Sequence, residues 1–171
     1  MSSQPESDRA KLDELFQAEA ELRFLSPSSP HAAVHEQAPP AHDLQEVQAI
    51  VSYATYCKDD GNNEMKQGKN FLAVPSYREG LRRTDPVRYH PLVRGVREAL
   101  LANLTLAYDH LRDDESAINA ATLLLSENGT HIKGLLRRGR VYGRLGKLEE
   151  AEMDFAKALS LDPSLVCVVG G

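Results

Sequence analysis

The chain has 171 residues, of which 42% are hydrophobic and 26% charged, and a formal net charge of −5. That length supports one domain with its own core, and that charge argues against broad attraction to nucleic acid or an anionic membrane. Two cysteines, Cys57 and Cys167, make no disulfide framework. No stretch is apolar for long enough to span a bilayer, and the polar opening Met1 to Asp13 does not read as a signal peptide. The cytoplasm is the expected compartment, with the nucleus left open. The sequons at Asn103 and Asn128 are then coincidental.

Residues 1–42 read as a flexible N-terminal region, punctuated by Ser26-Pro27-Ser28-Ser29-Pro30 and Pro39-Pro40. A short amphipathic helix is expected near residues 8–25, where Leu12, Leu15, Phe16, Leu22 and Leu25 fall on roughly one face. Glu19 interrupts that stripe. Such a helix either docks back on the domain or serves a second partner.

From Asp43 to about Asp162 the pattern is helical and nothing alternates with period two. Breaks fall near Gly68, at Asp85-Pro86, at Arg112-Asp113-Asp114, at Asn128-Gly129, at Gly146 and at Asp162-Pro163. They predict about six helices of roughly 12 to 20 residues joined by short turns.

The segment Ile132–Leu165 carries Gly139, Tyr142, Gly146, Leu148, Ala151, Phe155, Ala158, Leu161 and Pro163. Small side chains at Gly139 and Ala151 let two antiparallel helices approach, while Tyr142, Leu148 and Phe155 fill the gap between them. Pro163 stops the second helix. Two earlier segments share this layout, one with Leu101, Leu104, Ala107, Tyr108, Leu111, Ala117, Leu124 and Leu125, the other with Gly61, Gly68, Ala73, Tyr77, Gly80, Leu81 and Pro86. These residues resemble the tetratricopeptide repeat, a helix-turn-helix unit of about 34 residues, over about residues 54 to 165. The resemblance implies an all-α fold: a right-handed superhelical stack of three repeats occupying residues 43–165, followed by a tail at 166–171.

Some positions depart from the repeat pattern. Thr105, Ala121 and Gly129 replace the usual small residue, aromatic and proline of the middle repeat, and Arg138 stands where an apolar residue is usual. Pro75 lies inside the expected second helix, which tolerates it only if that helix starts near Leu72. About ten extra residues, around Arg88 to Arg97, separate the first two repeats and resemble the lengthened helix pairs of immunophilin co-chaperones.

Residues four apart on a helix share a face. The first helices of the three repeats offer Lys58 and Asn62, then Asn103, then Lys133 and Arg137. This set resembles the two-carboxylate clamp of chaperone-binding tetratricopeptide domains. The resemblance implies a ligand ending in Glu-Glu-Val-Asp, the acidic C-terminal tail of heat-shock protein 90 or 70. Lys58, Asn62 and Asn103 would hold the terminal carboxylate, Lys133 the side-chain carboxylate, and Arg137 the peptide further upstream. Met65 and Leu106, one turn beyond Asn62 and Asn103, would floor a pocket for the ligand's valine. Between His131 and Leu148 the chain carries Lys133, Arg137, Arg138, Arg140, Arg144 and Lys147 and no acid, a local basic stripe in an acidic protein. Taken singly, each of these side chains could equally be a solvated charge or an ordinary amide.

No catalytic constellation, metal-binding set or cofactor loop stands out, and no enzyme activity is expected. The expected role is a protein-interaction adaptor, a co-chaperone. A scaffold for an internal segment of another partner, or the targeting domain of a larger prolyl isomerase or phosphatase, are the alternatives. The apolar tail from Leu165 to Val169 is short for a capping helix, and weak self-association through that end is expected.

Overall fold

The computed structural model describes residues 43–165. The expected N-terminal helix near residues 8–25 and the tail 166–171 lie outside the described residues. Six α-helices follow one another: α1 (Leu44–Lys66), α2 (Asn70–Thr84), α3 (Pro91–Leu111), α4 (Asp114–Glu127), α5 (Ile132–Arg144) and α6 (Leu148–Leu161). Short 3₁₀ turns cover Asp85–Val87 and Pro163–Leu165. Among the described residues there is no strand.

Local chemistry sets the boundaries. The Asp43 side chain accepts from the Gln45 N–H at 3.1 Å and starts α1. The Asp113 carboxylate accepts from the Ser116 N–H at 3.1 Å at the head of α4. The His131 ring nitrogen accepts from the Gly134 N–H at 3.0 Å at the head of α5. Pro91 opens α3, where its missing N–H costs nothing. Gly68 (φ +75°) and Gly146 (φ +73°) take the left-handed backbone that reverses the chain after α1 and α5. One expectation needs correcting: α2 begins at Asn70 rather than near Leu72. The Lys69 carbonyl already accepts from Leu72 (3.0 Å) and Ala73 (3.3 Å). Pro75 therefore lies beyond the first turn, and without an N–H it leaves the Phe71 carbonyl short of its helical donor.

Each helix packs on its successor, and α3 also packs on both α1 and α5, forming an inner layer flanked by α2, α4 and α6. Pairing within a repeat turns on small-against-large contacts. A Cβ added to Gly61 would meet the Tyr77 ring at 2.5 Å, and one added to Gly139 would meet the Phe155 ring at 2.8 Å. The middle repeat reverses the sizes: Thr105 occupies the glycine position and Ala121 the ring position, and both are fully buried. The larger side chain of the pair thus comes from the first helix rather than the second.

The lengthened first pair has its own small core. α1 has 23 residues and α3 has 21, against 13 for α5. Their extra turns bury Val47, Val87 and Val93, with Ile50, Val51 and Val96 packed alongside. Beside this core lies Arg97, only 1% exposed. Its guanidinium reaches Glu127 at 2.7 Å and the Thr84 hydroxyl at 2.8 Å. Arg138, at its departure from the apolar pattern, is likewise partnered: it makes a bidentate pair with Asp154 of α6 (2.8 and 2.7 Å) and donates to Thr122 of α4 at 3.0 Å.

Candidate peptide-binding site

The inner layer brings the polar residues of α1 and α3 into direct contact. The Asn103 side-chain amide donates to Asn62 Oδ1 at 2.8 Å, across 41 residues of sequence. The same oxygen accepts the Tyr77 hydroxyl at 2.8 Å. Lys58, one turn before Asn62, is half-buried, and its ammonium pairs with the exposed Asp59 at 3.1 Å. From α5, Arg137 reaches across to α3 and donates to the Ala102 carbonyl at 2.6 Å, beside Asn103. Burial holds the Arg137 guanidinium below the usual arginine range, and the neighbouring Arg140 charge adds to this while Asp109 opposes it. Lys133 is exposed one turn before Arg137 and hydrogen-bonds to none of the other four. Met65 and Leu106 are half-buried, and Met65 packs against the main core.

Two features of the site were not in the sequence-based set. Tyr77 was legible only as a repeat-pattern ring; its hydroxyl is what ties it to the groove. Arg140 is exposed one turn beyond Arg137, at a spacing from Lys133 that puts all three on one face. The basic stripe also divides into two groups. Arg138 is paired with Asp154, and Arg144 with Asp109 (2.8 Å) and Asp114. Lys133, Arg137, Arg140 and Lys147 have no acidic partner within salt-bridge distance among the described residues. Among the same residues no group of three or more His, Cys, Asp and Glu side chains is placed to hold a metal ion. No helix there is long and apolar enough to cross a membrane.

The arrangement offers an anion several N–H donors with little surplus charge. Asn62 and Asn103 supply neutral amides, while Lys58, Lys133 and Arg137 supply cations from two sides. In class, this is a helical-repeat protein with a polar, donor-rich inner face. The tetratricopeptide-repeat profile matches residues 132–165. The second tetratricopeptide domain of Spaghetti, solved with the HSP90 peptide SRMEEVD, is 31% identical and superposes with a TM-score of 0.60, covering 70% of this chain and 94% of that one. The second such domain of human RNA polymerase II-associated protein 3, solved with the HSP70 peptide SGPTIEEVD, is 30% identical with a TM-score of 0.56, covering 68% and 86%. Full-length human RNA polymerase II-associated protein 3 is 33% identical over 111 residues, 65% of this chain. The chain belongs to the tetratricopeptide-repeat family. It spans about 15% of the length of that curated relative.

Proposed function

We propose that the domain is a non-enzymatic co-chaperone adaptor of the cytoplasm, whose inner groove binds the acidic C-terminal tail of HSP90 or HSP70. The observation that carries this reading is the Asn62–Asn103 contact, flanked by Lys58 on α1 and by Arg137 reaching α3. It is supported by two relatives at 30% identity or more that were solved with peptides ending in Glu-Glu-Val-Asp. In this reading Lys58, Asn62 and Asn103 take the terminal carboxylate, Lys133 the final aspartate side chain and Arg137 the preceding peptide. Met65 and Leu106 line the place of the valine. Charge-assisted hydrogen bonds contribute roughly 1.5 to 3 kcal/mol each, and desolvation and peptide ordering offset most of that. An affinity near micromolar, about −8 kcal/mol, is the expected net.

Titration calorimetry with Met-Glu-Glu-Val-Asp, as the free acid and as the C-terminal amide, tests the reading. The free acid binds and the amide is lost if the chain end is what the groove grips. Equal binding of both forms would instead indicate a groove for internal segments.

A further inference from the structure

We propose that Tyr77 is a positioning residue of this groove: its hydroxyl sets which way round the Asn62 amide stands, so that the amide presents N–H rather than C=O to a carboxylate. The inference rests on the carboxylate-tail reading above. A primary amide has nearly the same shape in its two orientations but opposite chemistry at its tip, two donors in one and an acceptor in the other. An oxygen turned toward a ligand carboxylate would repel it. In this chain Asn62 Oδ1 takes two donors, the Tyr77 hydroxyl and the Asn103 amide, each at 2.8 Å. Both lone pairs are engaged and the NH₂ group is left to donate.

The alternative orientation fails at the hydroxyl. Tyr77 is 1% exposed, and Asn62 Oδ1 is the acceptor its hydroxyl has among the described residues. Turning the amide over would leave a buried O–H without an acceptor, which proteins rarely tolerate. Burial also pushes the Tyr77 phenol up to about 12, so it remains a donor throughout the physiological range. Packing does not require this hydroxyl. Phe155 fills the corresponding place over Gly139 without one, and the middle repeat has Ala121 there.

Four proteins decide the matter: the unsubstituted domain, Tyr77→Phe, Asn62→Ala and the double variant, each titrated with Met-Glu-Glu-Val-Asp. Side-chain amide NMR spectra of the ligand-free proteins are recorded alongside. Tyr77→Phe is expected to weaken binding about tenfold in the native background and by less than about twofold once Asn62 is alanine. It is also expected to shift the Asn62 amide resonances before any ligand is added. Native affinity in Tyr77→Phe, or the same loss in both backgrounds, would overturn the proposal while leaving the carboxylate reading intact. If the unsubstituted domain does not bind the peptide, the carboxylate reading fails and takes the ligand half of the proposal with it. Unmoved amide resonances would then remove the other half.

Discussion

The Arg97 guanidinium lies 2.7 Å from the Glu127 carboxylate, and Arg97 itself is almost wholly buried. The pair ties α3 to the end of α4, and the same guanidinium also holds the Thr84 hydroxyl at the end of α2. Removing one partner strands the other. Arg97→Ala should therefore lower the unfolding free energy by about 3 to 5 kcal/mol, the usual result of breaking a buried pair from one side. Urea denaturation followed by circular dichroism measures it. A loss under about 1 kcal/mol would mean that the network contributes no more than a surface pair.

The small-against-large pairing can be tested by exchange. Gly139→Thr alone places a side chain where a Cβ already comes within 2.8 Å of the Phe155 ring and should destabilise by about 1 to 3 kcal/mol. Adding Phe155→Ala reproduces the buried Thr105–Ala121 combination of the middle repeat and should recover part of that loss. Thermal melts of the single and double variants give the comparison. A double variant less stable than the sum of its singles would show that the two repeats do not share this design.

Lys133 and Arg137 should separate binding from stability. Lys133 is exposed, whereas Arg137 is half-buried and donates to the Ala102 carbonyl. Lys133→Ala is expected to weaken peptide binding at least about tenfold while the Tm stays put, since surface substitutions rarely exceed about 0.5 kcal/mol. Arg137→Ala should weaken binding similarly and also cost about 1 kcal/mol of stability through the lost carbonyl contact. Calorimetry and melting on the same samples read both effects, and unchanged affinity in both variants would refute the assigned roles.

Acid sensitivity has an identifiable contributor. Hydrogen bonds from Arg144 hold the Asp114 carboxyl below its ordinary 3.8, with partial burial opposing. A carboxylate depressed in the folded state stabilises above its unfolded value, and that contribution disappears as pH falls through the folded value. Asp114→Asn should be less stable near neutrality and should lose less Tm than the native chain between about pH 5 and pH 2. Parallel pH profiles in the two proteins would assign the acid loss elsewhere, Glu79 being another carboxyl lowered by its arginine neighbours.

The helices were legible because the residues between them have strong local chemistry. Gly68 and Gly146 take positive φ, and Asp85-Pro86 and Asp162-Pro163 cannot continue a helix. The start of α2 was read from Pro75, which favours a first turn, whereas the helix begins at Asn70 without a side-chain cap from Lys69 and carries Pro75 in its interior. Among the site residues, the polar types and their four-residue spacings on α1 and α5 could be read directly. The Tyr77–Asn62 bond could not, since it joins side chains of two helices whose register is set by Gly61. Arg138 looked like an exposed base in an apolar position because Asp154, its counterion, sits on the opposing helix. Pattern along one helix is visible in sequence, while complementarity between helices depends on how they dock.

The valines that fill the extra turns of α1 and α3 bear on how a ligand would be received. With Val47, Val87 and Val93 packed about their opening turns, α1 and α3 are joined well before the Asn62–Asn103 contact is reached along them, and that contact stands with no peptide present. The protein then has little left to organise, and the loss of freedom on complex formation falls mainly on the incoming tail. If the acidic tail is the ligand, the place where it would seat its chain end is a mould already cast.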